Sequence, residues 1–123
     1  VDPRESFASA SRFPDARIIN EWPDEGLGQV GLHARTALVV LAHDPKLDDP
    51  ALMRAFDSPA FYIGALGSKR THAKRVERLT AAGVAAEDIA RIDAPVGLEI
   101  GASGPAEIAV SIMAQLVATL RQG

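Results

Sequence analysis

The chain has 123 residues, of which 47% are hydrophobic and 24% charged, a balance that fits one soluble globular domain with a real core. A formal net charge of -3 argues against a general nucleic-acid binder, because duplex binding usually needs a basic face. With no cysteine the chain offers no disulfide, thiolate ligand or thiol carrier, and no stretch approaches the roughly 20 apolar residues of a membrane span.

That composition suits a reducing cytoplasm, and no signal peptide is visible. The chain opens on Val1 rather than methionine, so a processed product or fragment is the expectation. Residues 1–7 read as the tail of a strand, since Asp2-Pro3 is a strand-ending dipeptide. Arg17-Ile18-Ile19 is a short strand candidate, stopped by Asn20-Glu21-Trp22-Pro23. One or two helical turns are expected within residues 24–32, weakened by Gly26, Gly28 and Gly31.

Residues 36–42 form a continuous apolar run rich in β-branched side chains, of strand length and without alternation. A strand covered on both faces reads that way, which is typical of a parallel sheet. After His43-Asp44-Pro45, the pattern Asp48-Asp49-Pro50 predicts a helix start, with acid at the cap and proline at the first helical position. Ser58-Pro59 breaks that helix, and residues 60–66 are the next strand. Strand, helix, strand and helix in this rhythm predict a doubly wound α/β domain with a mostly parallel sheet.

A basic helix over 68–82 follows, with Ser68 as N-cap and Gly83 just past its end. Lys69, Arg70, Lys74, Arg75 and Arg78 fall on it, and Val76, Leu79 and Ala82 supply a narrow apolar face. A short helix is expected over 86–91, then Ile92 and an irregular segment over 93–98. The last helix begins after Gly104, with Pro105 first and Glu107 third, and runs to about Leu120. Glu107, Ser111 and Gln115 recur every four positions as a thin polar stripe, while most other positions are apolar. A helix apolar around most of its circumference is expected to be buried on two sides, one against the sheet and one against a second subunit or further polypeptide.

The chemistry concentrates where ligands bind in open parallel sheets, beyond the carboxyl ends of the strands. Gly64 to Arg70 is one such place. Glycine admits a ligand to the backbone, the first helical N–H groups are unpaired, the dipole is positive there, and Lys69 and Arg70 add charge. Gly67-Ser68-Lys69-Arg70 therefore reads either as an anion pocket or as a plain strand-to-helix turn with a solvated basic face. It is neither a Walker loop nor a G-x-G-x-x-G fingerprint. His43-Asp44 is the other place, reading either as a general base or polar-ligand contact, or as a strand end followed by a turn cap. His43, Asp44, Asp48, Asp49 and His72 lack diagnostic metal-ligand spacing.

Three ordered blocks carry a resemblance: residues 41–48 (Leu-Ala-His-Asp-Pro-Lys-Leu-Asp), residues 62–72 (Tyr-Ile-Gly-Ala-Leu-Gly-Ser-Lys-Arg-Thr-His) and residues 94–102 (Ala-Pro-Val-Gly-Leu-Glu-Ile-Gly-Ala). With the opening residues 1–8 and the closing residues 105–109, the chain resembles the C-terminal Rossmann domain of the XdhC/CoxI family, accessory proteins of molybdenum hydroxylases such as xanthine dehydrogenase and carbon monoxide dehydrogenase. The resemblance implies a maturation chaperone rather than a catalyst. Such a protein binds molybdenum cofactor (molybdopterin), promotes its sulfuration and hands it to the apo-hydroxylase, with a cysteine desulfurase as a further partner. Under that reading Gly64, Gly67, Ser68, Lys69 and Arg70 contact the cofactor phosphate, with His43 and Asp44 toward the pterin or metal end. No catalytic residue and no resident metal is implied. Fold analogy alone favours NAD(P) binding, a weaker alternative, and a pure protein-interaction module is a third.

Relative to the family pattern, a strand with a Gly-Ala-Gly-His-like turn and a separate preceding domain are absent. The absent strand is central in the order 3-2-1-4-5-6, so the sheet is expected to be incomplete and its neighbours' edges unpaired. Completion is expected from a second chain, a swapped neighbour or a homo-oligomer. No nucleic-acid or membrane partner is expected.

Overall fold

The computed structural model describes residues 1–4, 9, 11–12, 14–42 and 44–122. Its centre is a parallel sheet of β1 (Ala37–Val40), β2 (Tyr62–Ala65) and β3 (Ile92–Asp93) in that spatial order. The register pairs Leu38 with Ile63 and Val40 with Ala65, and Ile63 with Ile92, so these five side chains share one face. They are the middle of the core.

Two helices cover that face. One is α2 (Pro45–Phe56), which contributes Ala51, Leu52 and Ala55, and the other is α3 (Lys69–Ala81), which contributes Leu79. The shorter α1 (Pro23–Val30) adds Leu27, and α4 (Ala86–Ile89) adds Ile89. The α/β class with a parallel sheet is as the apolar runs require. Each strand hands on to a helix that returns over the same face, which is how parallel neighbours are connected.

Three local differences from the expectation have physical causes. The helix expected to have Pro50 at its first position has Pro45 there instead, because Asp44 and Pro45 form an equivalent cap and first position: Asp44 accepts a hydrogen bond from the Lys46 amide at 3.0 Å. Pro50 consequently lies inside α2. Residues 17–19 form no strand; the Asp2 amide donates to the Ile19 carbonyl at 3.0 Å, and Asn20 donates to the Asp2 carbonyl, without a ladder. Lastly, the expectation did not say which side of the final helix meets the sheet, and in α5 (Gly104–Gln122) it is the side that carries the polar stripe.

Helix α5 lies on the opposite sheet face and is turned with its polar stripe inward. Ser111 is 3% exposed and its hydroxyl donates to the Ile108 carbonyl. The Gln115 side-chain oxygen accepts from the Gly97 amide at 2.9 Å and from the Tyr62 hydroxyl. Tyr62 and Gly64 point to this side, so the helix docks through a hydrogen-bonded seam rather than an apolar one. Val110, Met113, Val117 and Leu120 face out, while Ile108, Ile112 and Leu116 are half-buried at the flanks of the seam.

Among the described residues β1 has one partner strand. Its other edge, from Leu38 to Ala42, lines a groove of about 460 Å³. The facing wall is built from Val1, Asp2, Pro3, Arg4, Ala16, Arg17 and Ile18.

Candidate functional site

The β2–α3 turn holds four of the residues singled out in the sequence. Gly67 has φ +132°, a conformation L side chains rarely adopt, and a Cβ there would lie 3.1 Å from Thr71 Cγ2. Ser68 caps α3 by accepting from the Thr71 amide at 3.1 Å. That cap leaves the Lys69 and Arg70 amides at the head of the helix, where they have no carbonyl one turn back to donate to. Lys69 and Arg70 side chains are exposed beside them. The turn thus presents backbone donors, a positive helix end and two cations at one place.

Behind the turn lies a residue that the charge pattern alone assigns to solvent. Arg75 is 2% exposed. Its guanidinium donates to the Leu66 carbonyl at 3.1 Å, lies 3.2 Å from His72 Nδ1, and would be 3.9 Å from a Cβ on Gly67. Its Nε is buried without a hydrogen-bond partner among the described residues. Burial lowers the Arg75 pKa, while Asp48 and Asp49 oppose that by attraction. A buried guanidinium stays charged, so it adds a fixed positive field under Gly67. The signal for it was in the spacing: Arg75 lies four residues before Leu79, on the stripe that faces the core.

His72, half-buried next to it, has its pKa lowered first by burial and then by the Arg75 charge. Arg78, another of the five helix cations, turns away and chelates Asp49 at 2.9 and 3.2 Å. Asp49 in turn holds the Arg78 guanidinium above its ordinary pKa.

The structure does not gather every candidate at this turn. Gly64 is buried in the middle strand, and a Cβ there would meet Val96 Cγ2 at 2.6 Å and Tyr62 Cε1 at 2.8 Å. Its need for glycine is steric. Asp44 caps α2, as described, and His43 lies outside the described residues. Among the described residues no three His, Asp or Glu side chains converge as a metal site, and no helix is long and apolar enough to cross a membrane.

A second polar feature lies on the α5 face. Desolvation pushes the Tyr62 hydroxyl up to about 12, with Asp93 adding repulsion, and raises the Asp93 carboxyl as well. Its bond to Gln115 makes this a structural seam between sheet and helix.

Comparison with known proteins agrees in fold and sequence. Residues 1–116 match the family described as the XdhC Rossmann domain. The molybdenum cofactor insertion chaperone PaoD of Escherichia coli strain K12 is 35% identical over 116 residues, covering 94% of this chain and 35% of that protein. A probable xanthine dehydrogenase component of Bacillus subtilis strain 168 is 34% identical over 123 residues, covering 99% and 35%. In structure the chain resembles a crystal structure described as a xanthine dehydrogenase from Bacillus halodurans, with TM-score 0.79 and 32% identity over 98% of this chain and 34% of that one. The chain therefore spans about a third of the length of the relatives it matches.

Proposed function

This chain belongs to the XdhC Rossmann-domain family, and on that premise we propose that it serves molybdenum hydroxylase maturation by binding molybdenum cofactor as cargo, assisting its sulfuration and passing it to the apo-enzyme. The name of the E. coli relative supports the class of cargo. The observation that carries the site is the β2–α3 turn. Gly67 admits a ligand to the backbone, the head of α3 offers amides and Lys69 and Arg70, and the buried Arg75 charge stands behind them. Molybdopterin ends in a phosphate, an anion that such a turn stabilises through charge-assisted hydrogen bonds.

Because these 123 residues hold no cysteine, the sulfur of a sulfuration step would come from outside them, and a cysteine desulfurase is the fitting class of donor. The hydroxylase is the proposed second partner. The groove along β1 is proposed to take a further extended strand from another polypeptide or a swapped neighbour, which would pair the second edge of β1. Amide hydrogen exchange tests this: β1 should exchange faster than β2, and a cooperatively folding monomer with both strands equally protected would refute it.

Titration of the chain with molybdopterin tests the site. Lys69→Ala combined with Arg70→Ala should weaken binding on the order of tenfold at low salt, and the difference should shrink as salt rises. An affinity unchanged by the double substitution overturns the assignment.

A further inference from the structure

The outward face of α5 is apolar where a solvent-facing helix should be polar. Val110, Met113 and Val117 are 61%, 58% and 53% exposed, and Leu120 is exposed as well. Their spacing of three, four and three residues places them on a single seam of the kind that packs against another helix. The seam is presented outward because the opposite side of the helix is committed to the sheet side: Gln115 bonds Gly97 and Tyr62, and the Ser111 carbonyl accepts from the Leu98 amide.

Charge says what fits this seam. Within its nineteen residues α5 carries one acid, Glu107 in the first turn, and one base, Arg121 in the last. They are fourteen positions apart, about 21 Å along the axis, and occupy the same position of the seven-residue repeat. If a second α5 is laid antiparallel on the first, Val110 faces Leu120 and Met113 faces Val117 about a midpoint at residue 115. The same operation sets Glu107 against Arg121 about a midpoint at residue 114. The two midpoints lie one residue apart, about 1.5 Å along the axis, an offset that the long Glu and Arg side chains span, so one two-fold axis near Ala114 and Gln115 serves both sets of contacts. Parallel stacking would instead set Glu107 against Glu107. Antiparallel helix dipoles also attract.

We propose that α5 is a self-association surface, pairing antiparallel with α5 of a second copy of this chain through Val110, Met113, Val117 and Leu120, with Glu107 and Arg121 setting direction. The pairing is isologous, so each contact occurs twice. It rests on the α5 surface and not on the cofactor reading, whose site is at the head of α3.

Sedimentation equilibrium of the chain is the test. The mass should move from 13.0 kDa toward about 26 kDa, twice the chain, from low to high micromolar concentration. Val117→Lys, at an exposed position, should leave the circular dichroism spectrum unchanged and weaken association about tenfold. Arg121→Glu, which sets an acid against Glu107 of the second copy, should weaken it by about fivefold, whereas Arg121→Lys, which keeps the charge, should not. A monomer across the range overturns the proposal, as does a dimer indifferent to Val117→Lys. So does an Arg121→Glu chain that associates as tightly as the parent, since antiparallel pairing sets that position against Glu107.

Discussion

Gly64→Ala separates a packing glycine from a ligand-binding one. Gly64 sits in the middle strand, paired with Val39 on one side and Asp93 on the other, and the strand cannot shift without breaking both ladders. The added methyl would lie 2.6 Å from Val96 Cγ2, 2.8 Å from Tyr62 Cε1 and 2.9 Å from the Tyr62 hydroxyl oxygen. None of these is the free end of a flexible side chain: Val96 is buried, and Tyr62 is held by Gln115. Overpacking of this kind costs about 1–3 kcal/mol. Alanine recovers about 0.4–1 kcal/mol by restricting the unfolded chain. The net loss is about 1–2 kcal/mol, and at this chain length it lowers Tm by about 4–8 °C. Urea and thermal unfolding followed by circular dichroism measure it. Adding Val96→Ala, which removes the nearest contact, should recover part of the loss, and molybdopterin affinity of the folded variant should be unchanged. A Gly64→Ala chain within about 0.5 kcal/mol of the parent refutes the packing argument, and intact stability with lost affinity would return Gly64 to the binding site.

Ser68→Ala should lower stability by about 1 kcal/mol through loss of the α3 cap, whereas Ser68→Asp should retain most of it, read from urea midpoints. Arg91 donates to the carbonyls of Phe56, Ser58 and Ala60 at 3.1, 3.1 and 3.3 Å, tying the α2–β2 connection to the start of β3. Arg91→Ala should cost about 1–2 kcal/mol, discounted for partial exposure, and a loss below about 0.5 kcal/mol would show that water replaces those bonds. His72 is held below its ordinary value of 6.5, so between that lowered value and 6.5 the unfolded chain binds a proton that the folded chain refuses. Stability is full above 6.5 and falls as pH drops through this window. His72→Gln should flatten that acid limb, and identical pH dependence in both proteins would show that His72 does not carry it.

The apolar run at residues 36–42, the break at Ser58-Pro59 and the Ser68 and Gly83 signals place β1, β2 and α3 from sequence because each is local. A double-sided apolar strand has one consistent environment, and a cap needs only residues three apart. The glycine turn and the head of α3 were legible for the same reason, since Gly67 to Arg70 are consecutive. What local pattern could not decide is which of two competing signals wins. Asp44-Pro45 and Asp48-Asp49-Pro50 are both valid helix starts, and the earlier one prevails with Leu47 and Asp48 turned into the interior.

Tertiary structure alone decided the surroundings of Arg75, Gly64 and α5. Arg75 looks like one more cation of a basic helix, but the backbone at Leu66 supplies an acceptor that lets its guanidinium be buried. Gly64 looks like part of a phosphate turn, but Tyr62 and Val96 fill the space its missing side chain leaves. In α5 the pattern shows an apolar helix with a polar stripe, and hydrophobicity by itself would bury the apolar side. Gly97 and Tyr62, distant in sequence, offer Gln115 partners that its amide would otherwise lack in the interior, and so the polar stripe turns inward. Residue types settled which segments become strand, helix and turn, because those choices depend on neighbours within a few positions. The orientation of each element depended on hydrogen-bond partners tens of residues away, which only the folded chain brings together.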